Sequence, residues 1–135
     1  MRYMILVKAT PDSEAGVIPE AALFSAMAEY HEQLAQAGVL LDAAGLQPSA
    51  KGWRVAWRDG ARRLTDGPFA ETKELVAGYT LIQVRSREEA LEWTRRFPAP
   101  AGSGVECAIE VRQLYELEDL GAGEAIERLR ALHVG

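Results

Sequence analysis

The sequence predicts one α+β domain whose elements run strand, helix, strand, inserted hairpin, strand, helix, strand. Three observations carry that prediction. Two strand-like runs, Tyr3 to Lys8 and Val76 to Arg85, are apolar on both faces, which marks them as central strands of a covered sheet. Two stretches, Glu20 to Gln36 and Arg87 to Phe97, repeat apolar residues at helical spacing. Asp59-Gly60 lies between two short β-rich runs and signals a tight hairpin.

In the first strand Tyr3, Ile5 and Val7 alternate with Met4 and Leu6. A loop through Thr10-Pro11-Asp12-Ser13 and Gly16 follows, and Pro19 suits the first position of the next helix. At about 100° per residue, Met27, Tyr30 and Leu34 fall within roughly 40° of Leu23, and the opposite arc carries Ser25, Glu29, Glu32 and Gln36. His31 lies at the edge of the apolar stripe beside Phe24. Gly38 supplies the helix stop. Val39 to Leu46 reads as a second strand ended by Pro48. Trp53 to Trp57 and Arg62 to Thr65 form the hairpin arms. After the fourth strand-like run, Ser86-Arg87-Glu88-Glu89 is a capping box opening a helix with Ala90, Trp93, Thr94 and Phe97 on one side. Cys107, Ile109 and Val111 alternate with Ala108, Glu110 and Arg112 in a last, half-buried strand. The chain then turns acidic, with a short helix predicted over Glu124 to His133.

That order is the ferredoxin-like βαββαβ pattern with an inserted hairpin, in which both helices cover one sheet face. The other face is then bare, although its strands are apolar on both sides. A second copy packed sheet to sheet is the simplest cover, so a homodimer is expected.

Composition narrows the function classes. The 135 residues suit one domain able to bury about two-thirds of its unfolded surface. A net charge of −5 argues against duplex nucleic acid as a partner, which requires a basic face. Cys107 is the only cysteine, which rules out an intrachain disulfide and disfavours a cysteine-built zinc site. The amino-terminal apolar run is too short for a signal peptide or membrane span, so a cytoplasmic protein without membrane contact is expected. No dinucleotide fingerprint, P-loop, HExxH or GxSxG is present, and no cofactor or metal is expected.

The stretch Asp66-Gly67-Pro68-Phe69-Ala70-Glu71-Thr72-Lys73-Glu74 concentrates a restrained turn and a charge cluster in nine residues, with Phe69 expected to pin it to the core. It reads either as a presented set of binding groups or as a well-made turn with solvated charges. With Gly78-Tyr79, Glu89-Ala90-Leu91-Glu92-Trp93 and Glu110-Val111-Arg112, it resembles the DGPF-type branch of the YCII-related family over about residues 3 to 118. Residues 119–135 form a tail with a short helix belonging to the same unit. The resemblance implies a dimeric α+β barrel. It also implies an active-site pair of a histidine on the first helix and a nearby aspartate. His31 resembles that histidine; Asp42 and Asp66 are both placed for the aspartate, and Asp66 is preferred because the motif is built around it. Some DGPF-type relatives carry a transcription-initiation label and are found with sigma factors. Ala77 and Gln113 stand where many relatives have glycine and proline.

Two functions follow as expectations. In the first, a cofactor-free enzyme-like domain uses His31 as general acid or base and Asp66 to orient it. Glu71, Lys73 or Arg112 then contacts a small polar substrate in an elimination or hydrolysis. In the second, the domain is a non-catalytic ligand-sensing or protein-interaction module serving transcription regulation. A histidine at the border of a core stripe is also explained by a purely structural hydrogen bond. Arg54, Arg58, Arg62 and Arg63 with Trp53 and Trp57 make the hairpin either a partner-facing surface, a single-strand nucleic-acid contact or a solvated element.

Overall fold

Alternation and capping decide where the elements fall. A computed structural model describes residues 1–133. The elements are β1 (Arg2–Lys8), α1 (Pro11–Glu14), α2 (Ala21–Gln36), β2 (Leu40–Gly45), β3 (Trp53–Arg58), β4 (Ala61–Asp66), β5 (Val76–Gln83), α3 (Arg87–Arg95), β6 (Ile109–Gln113) and α4 (Glu124–Ala131). Strands β2, β5, β1 and β6 form one antiparallel sheet in that order, and β3 with β4 forms a separate two-stranded ribbon. This is the ferredoxin-like βαββαβ topology with the hairpin inserted between β2 and β5.

The period-2 pattern of β1 sends Tyr3 and Ile5 to the face under α2 and α3. There they join Ile82 from β5 and Val84 just after it, Tyr30 and Leu34 from α2 and Ala90 from α3. Ile5, Leu34 and Ile82 are wholly buried. Met4 and Leu6 point the other way, as do Tyr79 and Leu81, and these four remain half-buried. Neither α2 nor α3 lies on that second face.

Local signals act as expected at several ends. Gly38 takes φ 74° just after α2, letting the Val39 N–H donate to the Leu34 carbonyl at 3.0 Å. The Ser86 hydroxyl accepts from the Glu89 N–H at 3.1 Å, while the Glu89 carboxylate reaches one residue further back than a standard capping box, to the Arg85 N–H. Asp59 and Gly60 both have positive φ, the backbone that a two-residue hairpin with matching twist needs.

Two expectations are corrected. Pro19 does not open α2, which begins at Ala21 behind Glu20; the proline-first start belongs to α1, where Pro11 follows the Thr10 cap. Phe69 does not pin its loop to the core. Its ring lies under the Arg54 guanidinium, 3.9 Å from the ring centroid, so it braces the base of the ribbon.

Candidate functional site

His31 sits where the helical angle put it, on the flank of α2 that meets the sheet. Its Nδ1 is 2.7 Å from the Met27 carbonyl and its Nε2 is 2.8 Å from the Thr80 hydroxyl. A carbonyl only accepts, so the first contact places the proton of the neutral ring on Nδ1, and Nε2 then accepts from the Thr80 O–H. Tyr30 and Phe97 flank the ring edge to face, with centroids 5.6 and 6.3 Å away. The arrangement has the form of a base oriented by a third group and bonded to a hydroxyl. Thr80, however, is only 2% exposed, which denies a substrate access to that hydroxyl.

Asp66 closes β4, opposite Trp53, and is exposed on the ribbon. Both ring nitrogens of His31 are satisfied by Met27 and Thr80, so the structure does not bring His31 and Asp66 together within one chain. The physical reason is the path of the ribbon. Its root is fastened to the loop before β3, where the Gly67 N–H donates to the Gly52 carbonyl at 3.0 Å and the Phe69 N–H to the Ser49 hydroxyl at 3.1 Å. A β-carbon on Gly67 would fall 1.9 Å from the Ser49 carbonyl oxygen, so only glycine allows that approach. Ser49 in turn bonds the Glu14 carboxylate through its hydroxyl and its N–H.

Asp42 lies on the sheet face away from His31. It accepts the Tyr79 O–H at 2.8 Å, and this bond to the carboxylate raises the Tyr79 pKa. Arg112, opposite Met4 on the same face, reaches Glu110 at 3.4 Å. Glu71 is exposed in a left-handed conformation, φ 61°, ahead of a 3₁₀ turn. Lys73 pairs with Glu106 at 3.6 Å, both almost fully exposed. The expected site residues therefore do not converge: His31 lies on α2 against β5, Asp66 on the ribbon, Glu71 and Lys73 on one turn, and Arg112 on the second sheet face. Among the described residues no cluster of three or more His, Cys, Asp or Glu is arranged to hold a metal ion, and no helix is long and apolar enough to cross a membrane.

The concave feature that sequence reasoning missed is a cleft of about 320 Å³ at the end of β1 and the start of β5. Val7, Leu23 and Val105 give it apolar walls, and Asp12, Ser13 and Glu106 give it polar groups. Two loops far apart in sequence, 10–19 and 100–106, meet there. Neither has a pattern that announces a pocket.

Residues 1–116 match the YCII-related domain family. The chain belongs to the YCII-related family. The family is thus shown over nearly the span that the DGPFAETKE string, Gly78-Tyr79 and Glu110-Val111-Arg112 suggested. An uncharacterized protein (R00369) of Rhizobium meliloti (strain 1021) is 40% identical over 60 residues, covering 44% of this YCII-related chain and 48% of that relative. The match thus spans about half the length of the curated relative. Among solved structures, 5-chloro-2-hydroxyhydroquinone dehydrochlorinase (TftG) from Burkholderia phenoliruptrix AC1100, in complex with 2,5-dihydroxybenzoquinone, aligns with 15% identity and a TM-score of 0.43. That alignment covers 85% of this chain and 94% of TftG. Likeness at that level carries no inference about this chain's activity.

Proposed function

We propose that this YCII-related domain is a homodimeric, non-catalytic binding module that takes a small polar molecule in the cleft at the β1 and β5 ends. The observation behind this reading is the commitment of both His31 nitrogens, one to a backbone carbonyl and one to a buried hydroxyl. A general base needs a nitrogen within reach of a substrate proton. Here His31 instead ties α2 to β5. The cleft volume lies at the lower end of the range for small-molecule sites, and Asp12 and Glu106 favour a ligand that carries hydrogen-bond donors. The sheet face with Met4, Leu6, Tyr79 and Leu81 is the proposed dimer interface, and on the order of 1,200–2,000 Å² would be buried there in total.

A thermal-shift screen against metabolites tests this reading. A ligand is expected to raise the melting temperature of the wild type and of Asp66→Asn. Asp12→Asn should lose the shift. A ligand whose shift disappears in Asp66→Asn and survives in Asp12→Asn would displace the cleft reading.

A second reading rests on one observation, the anchored Nδ1–H that leaves Nε2 as the basic nitrogen of His31. In it the domain is enzyme-like, with the Met27 carbonyl holding His31 in place as acid or base and Asp66, brought in by movement of the ribbon, joining it on a small polar substrate. It requires the ring to leave Thr80. Turnover abolished by both His31→Ala and Asp66→Asn, with fold and dimer intact, would favour it.

A further inference from the structure

The β3–β4 ribbon leaves its best apolar surface in water. Cross-strand register puts Trp53, Val55, Trp57 and Leu64 on one face with Arg62 and Asp66, and Arg54, Arg58 and Arg63 on the other. Trp53 is 64% exposed, Trp57 69% and Leu64 65%. A two-stranded ribbon without a third strand or a helix against it is marginal in water. This one is nevertheless held at its root through Gly67, Ser49 and the Arg54–Phe69 stack. It is an aimed arm with an uncovered aromatic face.

The chain carries a complementary surface. Residues 53–66 hold four arginines against two aspartates, +2 in a chain of net −5, which leaves −7 elsewhere. After β6, residues 115–132 hold five carboxylates against two arginines. Tyr115, Leu120 and Leu132 in that segment are all more than half exposed. The Arg2–Glu116 pair, 2.9 Å, draws the start of this acidic, apolar segment toward the sheet face that carries Met4 and Leu6.

These two surfaces lie at opposite edges of the sheet. The arm departs beyond β2 and the acidic segment follows β6, in a sheet ordered β2, β5, β1, β6. A two-fold axis parallel to the strands, laying two such sheets face to face, sets the β2 edge of one copy over the β6 edge of the other. The chain leaves β2 at Gly45, level with Gly78, Val7 and the Ile109 start of β6. Each arm therefore stands first over the start of the partner's β6 and reaches the acidic segment beyond Gln113 by running along that strand. The contact occurs twice, and the assembly closes. Six-residue strands give the arm a length of about 20 Å, enough to run along the five residues of β6.

We infer that the β3–β4 arm docks its Trp53–Trp57 face on the acidic 115–132 segment of a second copy of this chain, clasping the homodimer. The inference rests on the face-to-face dimer proposed above and adds what its arms do.

Two measurements decide it. By sedimentation equilibrium, the Trp53→Ser, Trp57→Ser double variant is expected to weaken the wild-type dimer about 100-fold, since indoles at a covered interface are common hot spots. Both side chains are exposed within the chain, so the variant should fold. Arg62→Glu should weaken the dimer, and adding Glu124→Arg should restore part of the loss. In a Trp93→Phe background the arm indoles alone emit, and acrylamide should quench them poorly in the dimer and fully after dilution. A dimer of unchanged affinity in the double variant, or arm indoles fully quenched within a dimer, overturns arm docking while leaving the dimer standing. A wild-type monomer at micromolar concentration overturns the dimer together with the clasp. Tight binding of a single-stranded oligonucleotide that competes with dimerisation reassigns the arm and overturns it too.

Discussion

Strands β5 and β3 are built on the same alternation, yet Ile82 has no exposed surface while Trp57 keeps 69% of its own. Both place β-branched or aromatic side chains on one face, Val76, Thr80 and Ile82 around Gly78 in β5 and Trp53, Val55 and Trp57 in β3. What separates them is cover. The Ile82 face lies under Tyr30, Leu34 and Ala90 of the two helices, whereas Trp53, Trp57 and Leu64 on the arm face are left mostly in water. Alternation thus specifies which residues share a face, and topology decides whether that face is closed by the same chain or left to another molecule.

That contrast is sharpest in truncations. Ile82→Ala should destabilise the fold by about 2–5 kcal/mol in chemical denaturation, as expected for a large core side chain. Leu64→Ala on the arm should move monomer stability by less than about 0.5 kcal/mol. Equal costs would mean that the arm belongs to the core.

Gly67→Ala tests whether the arm is fixed at its root. The new β-carbon cannot stand 1.9 Å from the Ser49 carbonyl, so the root must open. The expected cost is about 1–3 kcal/mol. Faster amide exchange should be confined to residues 49–69, leaving β1 and β5 protected. His31→Ala belongs to the body and should cost a similar amount, about 1–3 kcal/mol, because it strands the buried Thr80 hydroxyl.

Titration provides smaller effects from groups outside the arm. Burial raises the Tyr30 hydroxyl to about 12, against a weaker opposing pull from Arg96. A raised acid is favoured in its neutral form by the fold, so this contribution is complete below the ordinary tyrosine range near 10 and is lost as pH climbs toward about 12. Ultraviolet titration with a pH-dependent melt should show unfolding alongside ionisation. At the acid end, the Arg2 hydrogen bond holds Glu116 below the usual carboxylate range. Its contribution is present above the unfolded pKa of about 4.3 and fades as pH falls through the lowered value. Glu116→Gln should flatten that acid limb slightly.

The body was easier to read from sequence than the site. Gly38, Ser86 with Glu89, and Asp59-Gly60 each act through neighbours a few residues away, so their chemistry is written locally. Tyr30 and Leu34 fall on the buried arc because a helix fixes direction every 100°. His31 shows where this ends. Its angle toward the sheet was legible, but its partner Thr80 lies 49 residues away, on a strand whose register sequence alone leaves open. Asp66 failed to reach it for a similar reason. The direction of the ribbon depends on the close approach of Gly67 to Ser49, a contact with no local pattern. The cleft had no warning either, because its loops meet only after the sheet has formed.

The place of β1 in the sheet has a consequence for how the molecule is made. Tyr3 lies between Ile82 on one side and Gln113 on the other, so the earliest strand of this sheet in chain order needs the latest one before it is paired on both edges. The arm is the reverse. Its pairs are separated by as few as three residues, Arg58 with Ala61, and it can zip as soon as Asp66 has emerged. Through much of synthesis the nascent chain therefore shows two tryptophans on a finished ribbon beside an unfinished body. A stalled chain ending near residue 100 should protect its arm amides from exchange while Tyr3 to Val7 remain open along the edge reserved for β6.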